Sequence, residues 1–424
     1  MPNEGYCLRY GRAKEPGAVI FDVEGVIVPK KRFLYFALGR HLPIPQFLRI
    51  VFYGFLYEIG LMSLKNALSH VFKVFHGMEA KDLRDIFKQV PLMPYAKEVF
   101  KDLRSAGWRT ALISSGLPTI VVRDLASTMK ADYAFGIELE TQNDIFTGEI
   151  SGEVIERKGK LLILRKILTA EKLRPKDCVV VGDDRNNLPI FLPETLKIGY
   201  NPDFAMKIRA DVVITGKLTE ILPLISKEPR QPRRELTKGE IVREAIHVSG
   251  FLVTIIAALI GVFPVAASIS AITVLYAVSE VERMERTRVP VIAPVTYYAA
   301  TQQELYEFAT APIFFALGIV FTLLSFPLPI CGAAVAAFTL GDSTASLFGK
   351  RYGKTILPFN KAKTLEGSVC GFVFALLAAV YFVQPIFALL AAATAMIVES
   401  LPLPLDDNLV TPLVTGLILI AVHA

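Results

Sequence analysis

The segment Leu340–Gly367 contains the densest group of side chains that could bind phosphate. Asp342 lies near the end of an apolar run, where an ionisable group is costly and usually has a function. Lysines supply point charges for phosphates, glycines let the backbone approach them, and Asp342 or Glu366 could hold Mg²⁺ against the same phosphates. An ordinary basic loop has a similar composition, so composition alone leaves that alternative open. The basic residues of the segment are Lys350, Arg351, Lys354, Lys361 and Lys363.

Three shorter polar clusters each follow an apolar run in the first half of the chain. The run 17–28 contains Asp22-Val23-Glu24-Gly25, the run Trp108–Ile113 leads into Ser114, and the run Cys178–Val181 leads into Gly182-Asp183-Asp184. Buried parallel strands carry such side chains at their C-terminal ends, where open α/β sheets form their sites. A purely structural sheet needs at most one such cluster. The pattern therefore predicts a site at one edge of a parallel sheet.

The composition of the 424 residues indicates two different regions in one chain. Domains usually have about 100–200 residues, so the length predicts two or three of them. Hydrophobic residues make up 53%, charged residues 20%, and the mean hydropathy is +0.46, values intermediate between those of soluble and membrane proteins. Residues 1–245 carry nearly all the charge, whereas residues 248–279, 308–341 and 367–398 carry none. Uncharged runs of this length predict a multi-span membrane domain fused to a soluble domain.

The same composition excludes a disordered chain, a nucleic-acid-binding protein and a secreted disulfide scaffold. The net charge of +6 is concentrated beside the apolar runs, notably in the linker 226–243, as expected next to anionic membrane lipids. No aromatic or glycine-rich nucleic-acid-binding module accompanies these basic residues. The four cysteines lie far apart without Cys-x-x-Cys spacing, which predicts neither a metal site nor a disulfide framework.

Each uncharged run is about 32–34 residues long, enough for two helices of about 20 residues once flanking residues are included. A proline near the middle of each run predicts a helical hairpin: Pro264 in the first run, Pro327 or Pro329 in the second and Pro385 in the third. With a last span at Leu409–Ala424, we expect about seven crossings. The basic loops between the runs face the cytoplasm by the positive-inside rule. The N-terminus shows no apolar signal segment, so the soluble domain is expected there too.

The spacing within Leu340–Gly367 resembles that of the CTP-dependent lipid kinases, which include dolichol, phytol and polyprenol kinases and the fungal diacylglycerol kinase. The matching pattern is Asp342-x-x-Ala345-x-x-x-Gly349-Lys350-x-x-Gly353-Lys354, then Lys361-x-Lys363-Thr364-x-Glu366-Gly367. Arg243 with His247, Glu280 with Arg283, and Asp406-Asp407-Asn408 also fit this family, so the resemblance covers roughly residues 240–424. We place a first domain at 1–225, the linker at 226–243 and the kinase-like domain at 244–424.

This resemblance implies transfer of the γ-phosphate of CTP to an isoprenoid or polyprenol-type alcohol dissolved in the membrane. It implies phosphate or nucleotide contacts for Lys350, Lys354, Lys361 and Lys363, with Asn408 and His247 as further binding residues. Asp342, Glu366 and Asp407 would bind metal or activate the hydroxyl, with Asp342 as a metal ligand. Two alternatives stay open. His247 could be an ordinary residue at a span boundary, and the membrane domain could be a phosphatidate cytidylyltransferase, although the Asp406-Asp407-Asn408 motif favours the kinases.

The ordered clusters of the first domain resemble the haloacid dehalogenase (HAD) phosphatases, particularly the phosphoserine-phosphatase branch. The resemblance implies a Rossmann-like α/β domain with a helical cap, here at about 30–92. It rests on the Asp22-x-Glu24-Gly25 motif, a strand ending in Ser114, a lysine on a helix, and Gly182-Asp183-Asp184. Glu24 stands where the family usually has Asp, and Asn187 where it usually has a second acid, for which Asp184 could substitute.

The implied chemistry is Mg²⁺-dependent hydrolysis of a small phosphomonoester through a covalent intermediate. Asp22 would attack phosphorus, and Glu24 would protonate the leaving oxygen and then activate water. Ser114 and Lys160 would hold phosphoryl oxygens, with Lys158 as the alternative lysine. The metal would be bound by Asp22, Asp183 and Asp184.

Two further alternatives concern the first domain. A degenerate domain could serve as a non-catalytic sensor that regulates the kinase by binding a phosphometabolite. The apolar insertion that follows Pro29 could bury a core of its own, as cap helices usually do, or face lipid.

Overall fold

The computed structural model describes residues 16–30, 43–58, 61–88, 90–156, 158–225, 236–284, 293–300 and 304–423. The chain divides into two compact units, Met1–Pro232 and Arg233–Ala424. Their boundary lies inside the segment predicted as the linker. The residues 226–235 of that segment lie outside the described residues.

The first unit is built on a seven-stranded sheet with the order β4-β3-β2-β1-β5-β6-β7. Every neighbouring pair is parallel except β3 and β4, which form an antiparallel hairpin. This α/β arrangement confirms the predicted fold class of the first domain. The strands are β1 Ala18–Asp22, β2 Arg109–Pro118, β3 Tyr133–Gln142, β4 Ile145–Ser151, β5 Cys178–Gly182, β6 Leu196–Tyr200 and β7 Val212–Ile214.

The register of β1 explains why the three polar clusters meet. Residues Ala18–Asp22 pair in parallel with Arg109–Ile113, and β1 also pairs with β5 on its other side. All five β1 residues are buried, as expected for an apolar strand covered on both faces. Parallel strands in register end at the same edge of a sheet, so the residues that follow β1, β2 and β5 are neighbours.

Helices cover the sheet and form the insertion between β1 and β2. The described part of the predicted cap is helical, while residues 31–42 lie outside the described residues. The insertion contains α1 Ile44–Glu58, α2 Leu64–Phe72 and α3 Ala80–Lys88, and the helices of the α/β core are α4 Ala96–Ser105, α5 Thr119–Met129, α6 Gly159–Ala170, α7 Phe204–Arg209 and α8 Leu222–Ile225.

The second unit is helical in the part that the structure describes. It contains α9 Lys238–Ser249, α10 Leu252–Ile260, α11 Val262–Met284, α12 Ala293–Ala299, α13 Ala311–Ser325, α14 Leu328–Tyr352, α15 Leu365–Ala379, α16 Pro385–Ser400 and α17 Asp407–His423. Three helical segments are long and apolar enough to span a membrane: Lys238–Ile260, Val262–Met284 and Leu328–Tyr352. Helices α13, α15, α16 and α17 are shorter and apolar. That these four also cross the membrane, giving seven spans, stays a prediction.

The helix boundaries follow local sequence signals. Thr237 and Glu240 form a reciprocal capping box, so α9 begins at Lys238, inside the segment predicted as the linker. The first apolar run breaks at Gly261, whose φ is +99°, rather than at Pro264. Pro264 instead lies in the first turn of α11, where a residue without an N–H is tolerated. The second and third runs break next to Pro327 and Pro385, as predicted.

The backbones of α14 and α15 touch along a row of glycines. A Cβ atom on Gly367 would lie 2.6 Å from the carbonyl oxygen of Ala345 and 2.9 Å from the Cα of Gly349. A Cβ atom on Gly371 would lie 2.7 Å from the carbonyl oxygen of Gly341. Small residues at this spacing let membrane helices approach closely. We call this contact the glycine seam.

Replacing Gly371 by alanine should therefore destabilise the helical unit. The added methyl group would clash with the Gly341 carbonyl oxygen and with Ala345, and overpacking of this kind costs about 1–3 kcal/mol. The measurement is the midpoint of thermal unfolding in detergent. Val369→Ala, at a position on the same helix that is 55% exposed, is the control and should shift the midpoint less. Equal midpoints for Gly371→Ala and the wild type would show that the two helices are not in close contact.

Candidate functional site

The carboxylate of Asp22 is buried at the C-terminal end of β1, where three groups compensate it. The ammonium of Lys160 lies 3.0 Å from Asp22 Oδ1, and the backbone N–H of Val23 donates to the same oxygen over 2.9 Å. The side-chain amide of Asn187 donates to Asp22 Oδ2. Lys160 also donates to Asn187 Oδ1 over 2.8 Å, which closes the network. Asp22 and Lys160 are each only 4% exposed, so this is a buried, fully paired charge.

Glu24 and Ser114 lie together at the same edge of the sheet. Ser114 Oγ donates to Glu24 Oε1 over 2.8 Å and accepts the backbone N–H of Leu117 over 2.7 Å. Burial, followed by the charge of Asp22, raises the pKa of Glu24 to about 7. A carboxyl group with this pKa populates both protonation states near neutral pH, as a general acid–base requires. Its second oxygen, Oε2, is buried and makes no hydrogen bond to any described residue.

Asp22, Asp183 and Asp184 form an acidic cluster whose ligand atoms lie within 4.8 Å of one another. All of the donors are carboxylate oxygens, which suit Mg²⁺. Asp183 Oδ1 is buried without a hydrogen-bond partner among the described residues, so one ligand position is available inside the cluster. Burial, which outweighs the nearby Lys30 charge, raises the pKa of Asp183 well above its usual range. The chemistry of this cluster therefore fits a bound divalent cation.

The turn after β1 brings the cluster together. Gly25 has φ +81°, and a Cβ atom there would lie 2.2 Å from Asp183 Oδ2. Only glycine fits this conformation and this close approach without strain. The turn therefore places the Asp22-x-Glu24 motif directly against the residues that follow β5.

Three contacts beside the candidate site were not predicted from the sequence. Lys30 Nζ lies 3.5 Å from Asp183 and also pairs with Asp184. Tyr57, on the cap helix α1, donates its hydroxyl to Asn186. A lysine eight residues after a candidate nucleophile is a weak signal, and the approach of α1 to residues 185–186 depends on the tertiary fold.

The second unit also brings predicted site residues together. Lys363 Nζ lies 3.8 Å from Asp342 Oδ1 and 3.8 Å from Asp407 Oδ2, and it pairs directly with Glu399. Glu399 is only 2% exposed at the end of the apolar helix α16, where an unpaired charge would be very costly. The Lys363 cluster thus consists of one cation and three carboxylates from α14, α16 and α17.

His247 joins the edge of the Lys363 cluster. Its Nδ1 is 3.0 Å from Ser343 Oγ and its Nε2 is 3.0 Å from Asn408 Oδ1. The Nε2 atom also lies 3.8 Å from Asp342 Oδ2. The ring is therefore held by polar partners on α14 and α17, rather than lying against apolar side chains alone.

Other predicted residues lie away from the Lys363 cluster or have structural contacts. Lys350 donates to Glu240 over 2.7 Å, and the side chain of Lys354 is exposed. Lys361 is half-buried. Glu366 accepts the backbone N–H groups of Lys354 and Thr355 over 3.1 Å, so it holds the loop between α14 and α15. Their catalytic or binding roles stay predictions.

Comparisons with known proteins show what the first unit is similar to. Residues 19–191 match the family model described as haloacid dehalogenase-like hydrolase. The phosphoserine phosphatase of Archaeoglobus fulgidus is 30% identical over 177 residues, which is 42% of this chain and 51% of that protein. The phosphoserine phosphatase of Methanocaldococcus jannaschii is 29% identical over 167 residues, 39% of this chain and 79% of that protein. A solved phospho-aspartyl intermediate analogue of phosphoserine phosphatase, 24% identical, covers 50% of this chain and 100% of its own with a TM-score of 0.45.

Residues 19–191 of the first unit are therefore similar to haloacid dehalogenase-like hydrolases. Within that class, the chain is similar to phosphoserine phosphatases. The chain spans about half the length of the Archaeoglobus relative, and the match lies within the α/β unit. The resemblance of the first domain to HAD phosphatases is confirmed at this level, whereas the resemblance of the helical unit to lipid kinases stays a prediction.

Asp183→Asn should weaken Mg²⁺ binding by the full-length protein. Loss of even an outer partner of a metal site typically costs about 10–100-fold in affinity, so we expect at least about tenfold. Isothermal titration calorimetry with Mg²⁺ measures the affinity directly. Asp177→Asn is the matched control, because Asp177 precedes the opposite end of β5. Equal affinities in Asp183→Asn and the wild type would remove Asp183 from the metal site.

Proposed function

We propose that the α/β unit hydrolyses small phosphomonoesters, with Asp22 as the nucleophile. The observation that carries this proposal is the convergence of Asp22, Glu24, Ser114 and Lys160 beside the acidic cluster at one edge of the sheet. A nucleophilic carboxylate, a second carboxyl for proton transfer and a cation for phosphoryl oxygens are what a covalent phosphoryl transfer needs. The similarity to phosphoserine phosphatases supports the same reaction class.

The proposed reaction has two steps. An Asp22 oxygen forms a bond to phosphorus while the bond to the ester oxygen breaks, and that oxygen takes a proton from Glu24. Glu24 then removes a proton from water, whose oxygen attacks the aspartyl phosphate, releasing phosphate and restoring Asp22. Ser114 and Lys160 orient the phosphoryl oxygens, and the buried setting excludes other water. Mg²⁺ held by Asp22, Asp183 and Asp184 would reduce the repulsion between these carboxylates and the phosphate dianion.

Asp22→Asn should abolish phosphomonoester hydrolysis by the full-length protein, because the neutral amide is not an anionic nucleophile. The measurement is phosphate release from a chromogenic aryl phosphate in the presence of Mg²⁺. Asp177→Asn should retain wild-type turnover. Hydrolysis that survives in Asp22→Asn would remove Asp22 from the nucleophilic role. If the wild-type protein bound phosphate esters without turnover, the regulatory-sensor alternative would replace this proposal.

We also propose that the helical unit transfers the γ-phosphate of CTP to an isoprenoid or polyprenol-type alcohol. The Lys363 cluster supports this function, because it brings a cation together with a carboxylate inside α14 and two carboxylates at the ends of α16 and α17. The alcohol oxygen would attack the γ-phosphorus, lose its proton to one of these carboxylates, and CDP would leave. Lys363 would stabilise charge on the transferring group, and Asn408 and His247 would position a substrate. In this proposal the basic loops and the α/β unit lie on the cytoplasmic side, where CTP is available.

Lys363→Ala should lower transfer from γ-labelled CTP to a lipid alcohol by at least tenfold, equivalent to about 1.4 kcal/mol of transition-state stabilisation. The experiment uses the full-length protein in detergent micelles with a panel of isoprenoid alcohols, and with labelled ATP as the competing donor. Arg351→Ala, which removes an exposed cation at the end of α14, is the control and should keep wild-type activity. Unchanged transfer in Lys363→Ala would exclude Lys363 from the site. Release of pyrophosphate with transfer of CMP would instead favour the cytidylyltransferase alternative.

A further inference from the structure

Helix α1 of the cap presents an apolar stripe to its surroundings. Ile44, Leu48, Phe52 and Phe55 are 75%, 58%, 56% and 58% exposed. Their spacing of four, four and three residues places them on one face of the helix. Burying one such side chain is worth about 1.5–3 kcal/mol, so an exposed row of four indicates a surface that is covered in use. We call these four residues the α1 stripe.

The opposite face of α1 is already fixed on the α/β unit. Ile50 is 1% exposed, and the ring of Tyr53 lies 4.3 Å from that of His70 on α2. Near the C-terminal end of the helix, Arg185 donates to the carbonyl oxygen of Tyr57 over 3.0 Å. Among the described residues of the domain, the packing partners of α1 therefore lie on the side opposite the α1 stripe.

The charge of this region favours an anionic lipid surface as the partner. Between Pro29 and Glu58, the last residue of α1, the sequence contains five lysines and arginines and one glutamate. Of these cations, Lys30 pairs with Asp183 and Asp184, and three others lie in the segment 31–42, outside the described residues. Arg49 belongs to α1 itself and is exposed. Helices that combine an apolar face with basic residues lie in membrane interfaces and are attracted to anionic lipids. An apolar protein surface could cover the α1 stripe, but it would offer no anionic groups for the cations of this region.

A short segment connects the α/β unit to the first apolar segment of the helical unit. Twelve residues separate Ile225, at the end of α8, from Lys238, where the first apolar segment begins. A fully extended chain of this length spans at most about 40 Å. If the apolar segments lie in a bilayer, this tether raises the effective concentration of the α/β unit at that bilayer.

From these observations we propose that the α1 stripe lies in the lipid–water interface of an anionic membrane, with Arg49 at the level of the head groups. The inner face of α1 contacts residues 185 and 186, which follow the metal-binding Asp184. The interface therefore holds the candidate phosphatase site close to the membrane surface.

The test uses the full-length protein in nanodiscs whose lipids carry bromine on the acyl chains, which quench a nearby tryptophan. Phe52→Trp places the reporter in the α1 stripe, and the signal of native Trp108 is subtracted with the wild-type protein. Interfacial helices lie about 5–10 Å deep, so Phe52→Trp should lose about half of its emission in discs that contain phosphatidylglycerol. Leu162→Trp, at a site on α6 that is 47% exposed, is the matched control and should lose none. Adding Arg49→Glu to Phe52→Trp should restore most of the emission.

Two results would overturn the proposal. If Phe52→Trp is quenched no more than Leu162→Trp and remains accessible to acrylamide, the α1 stripe is in water. If it escapes bromine quenching but is also protected from acrylamide, protein covers the stripe, either from a second copy or from elsewhere in the chain. Both measurements are independent of phosphatase and kinase activity.

Discussion

A carboxylate at the end of a buried strand is stable only when its charge is compensated, and the ammonium of Lys160 provides that compensation for Asp22. This pairing requires α6 to begin close to the sheet. Gly159 allows it, because a Cβ atom there would lie 1.7 Å from the carbonyl oxygen of Glu153. Lys158, with φ +63°, directs the chain into the helix so that Lys160 lies inward. The start of α6 thus determines whether a buried carboxylate can be compensated at the end of β1.

The helical unit meets the same constraint in a different environment. Glu399 and Asp342 come from apolar helices, and the single ammonium group of Lys363 lies within reach of both and of Asp407. Three carboxylates around one cation leave an excess of negative charge. A site of this composition suits a cationic partner, such as the metal that accompanies a nucleotide phosphate, better than a free anion. Lys363 therefore both preserves the fold and limits what can bind.

Strand ends were predictable from the sequence, because an apolar run followed by polar residues indicates a buried strand that ends at the edge of a sheet. The meeting of Asp22, Ser114 and Asp183 followed from the parallel register alone. Contacts that depend on side-chain direction were not predictable. Asn187 stands where an acid is usual and carries no charge, yet its side-chain amide donates to Asp22 and accepts from Lys160. Several lysines lie close together in the segment between α14 and α15. The sequence did not show that Lys363 is the one that reaches Asp342 and Glu399.

The glycine seam has a consequence for how an apolar substrate could reach the Lys363 cluster. Where two backbones touch, no space remains for an acyl or isoprenoid chain to pass between them. If the helical unit lies in a bilayer, this contact closes lateral entry between α14 and α15. Asp342 belongs to α14, so any lipid tail that brings a hydroxyl group to it has to enter past a different pair of helices. Under the proposed lipid-kinase function, the smallest residues of the unit would thereby restrict the route of the lipid substrate.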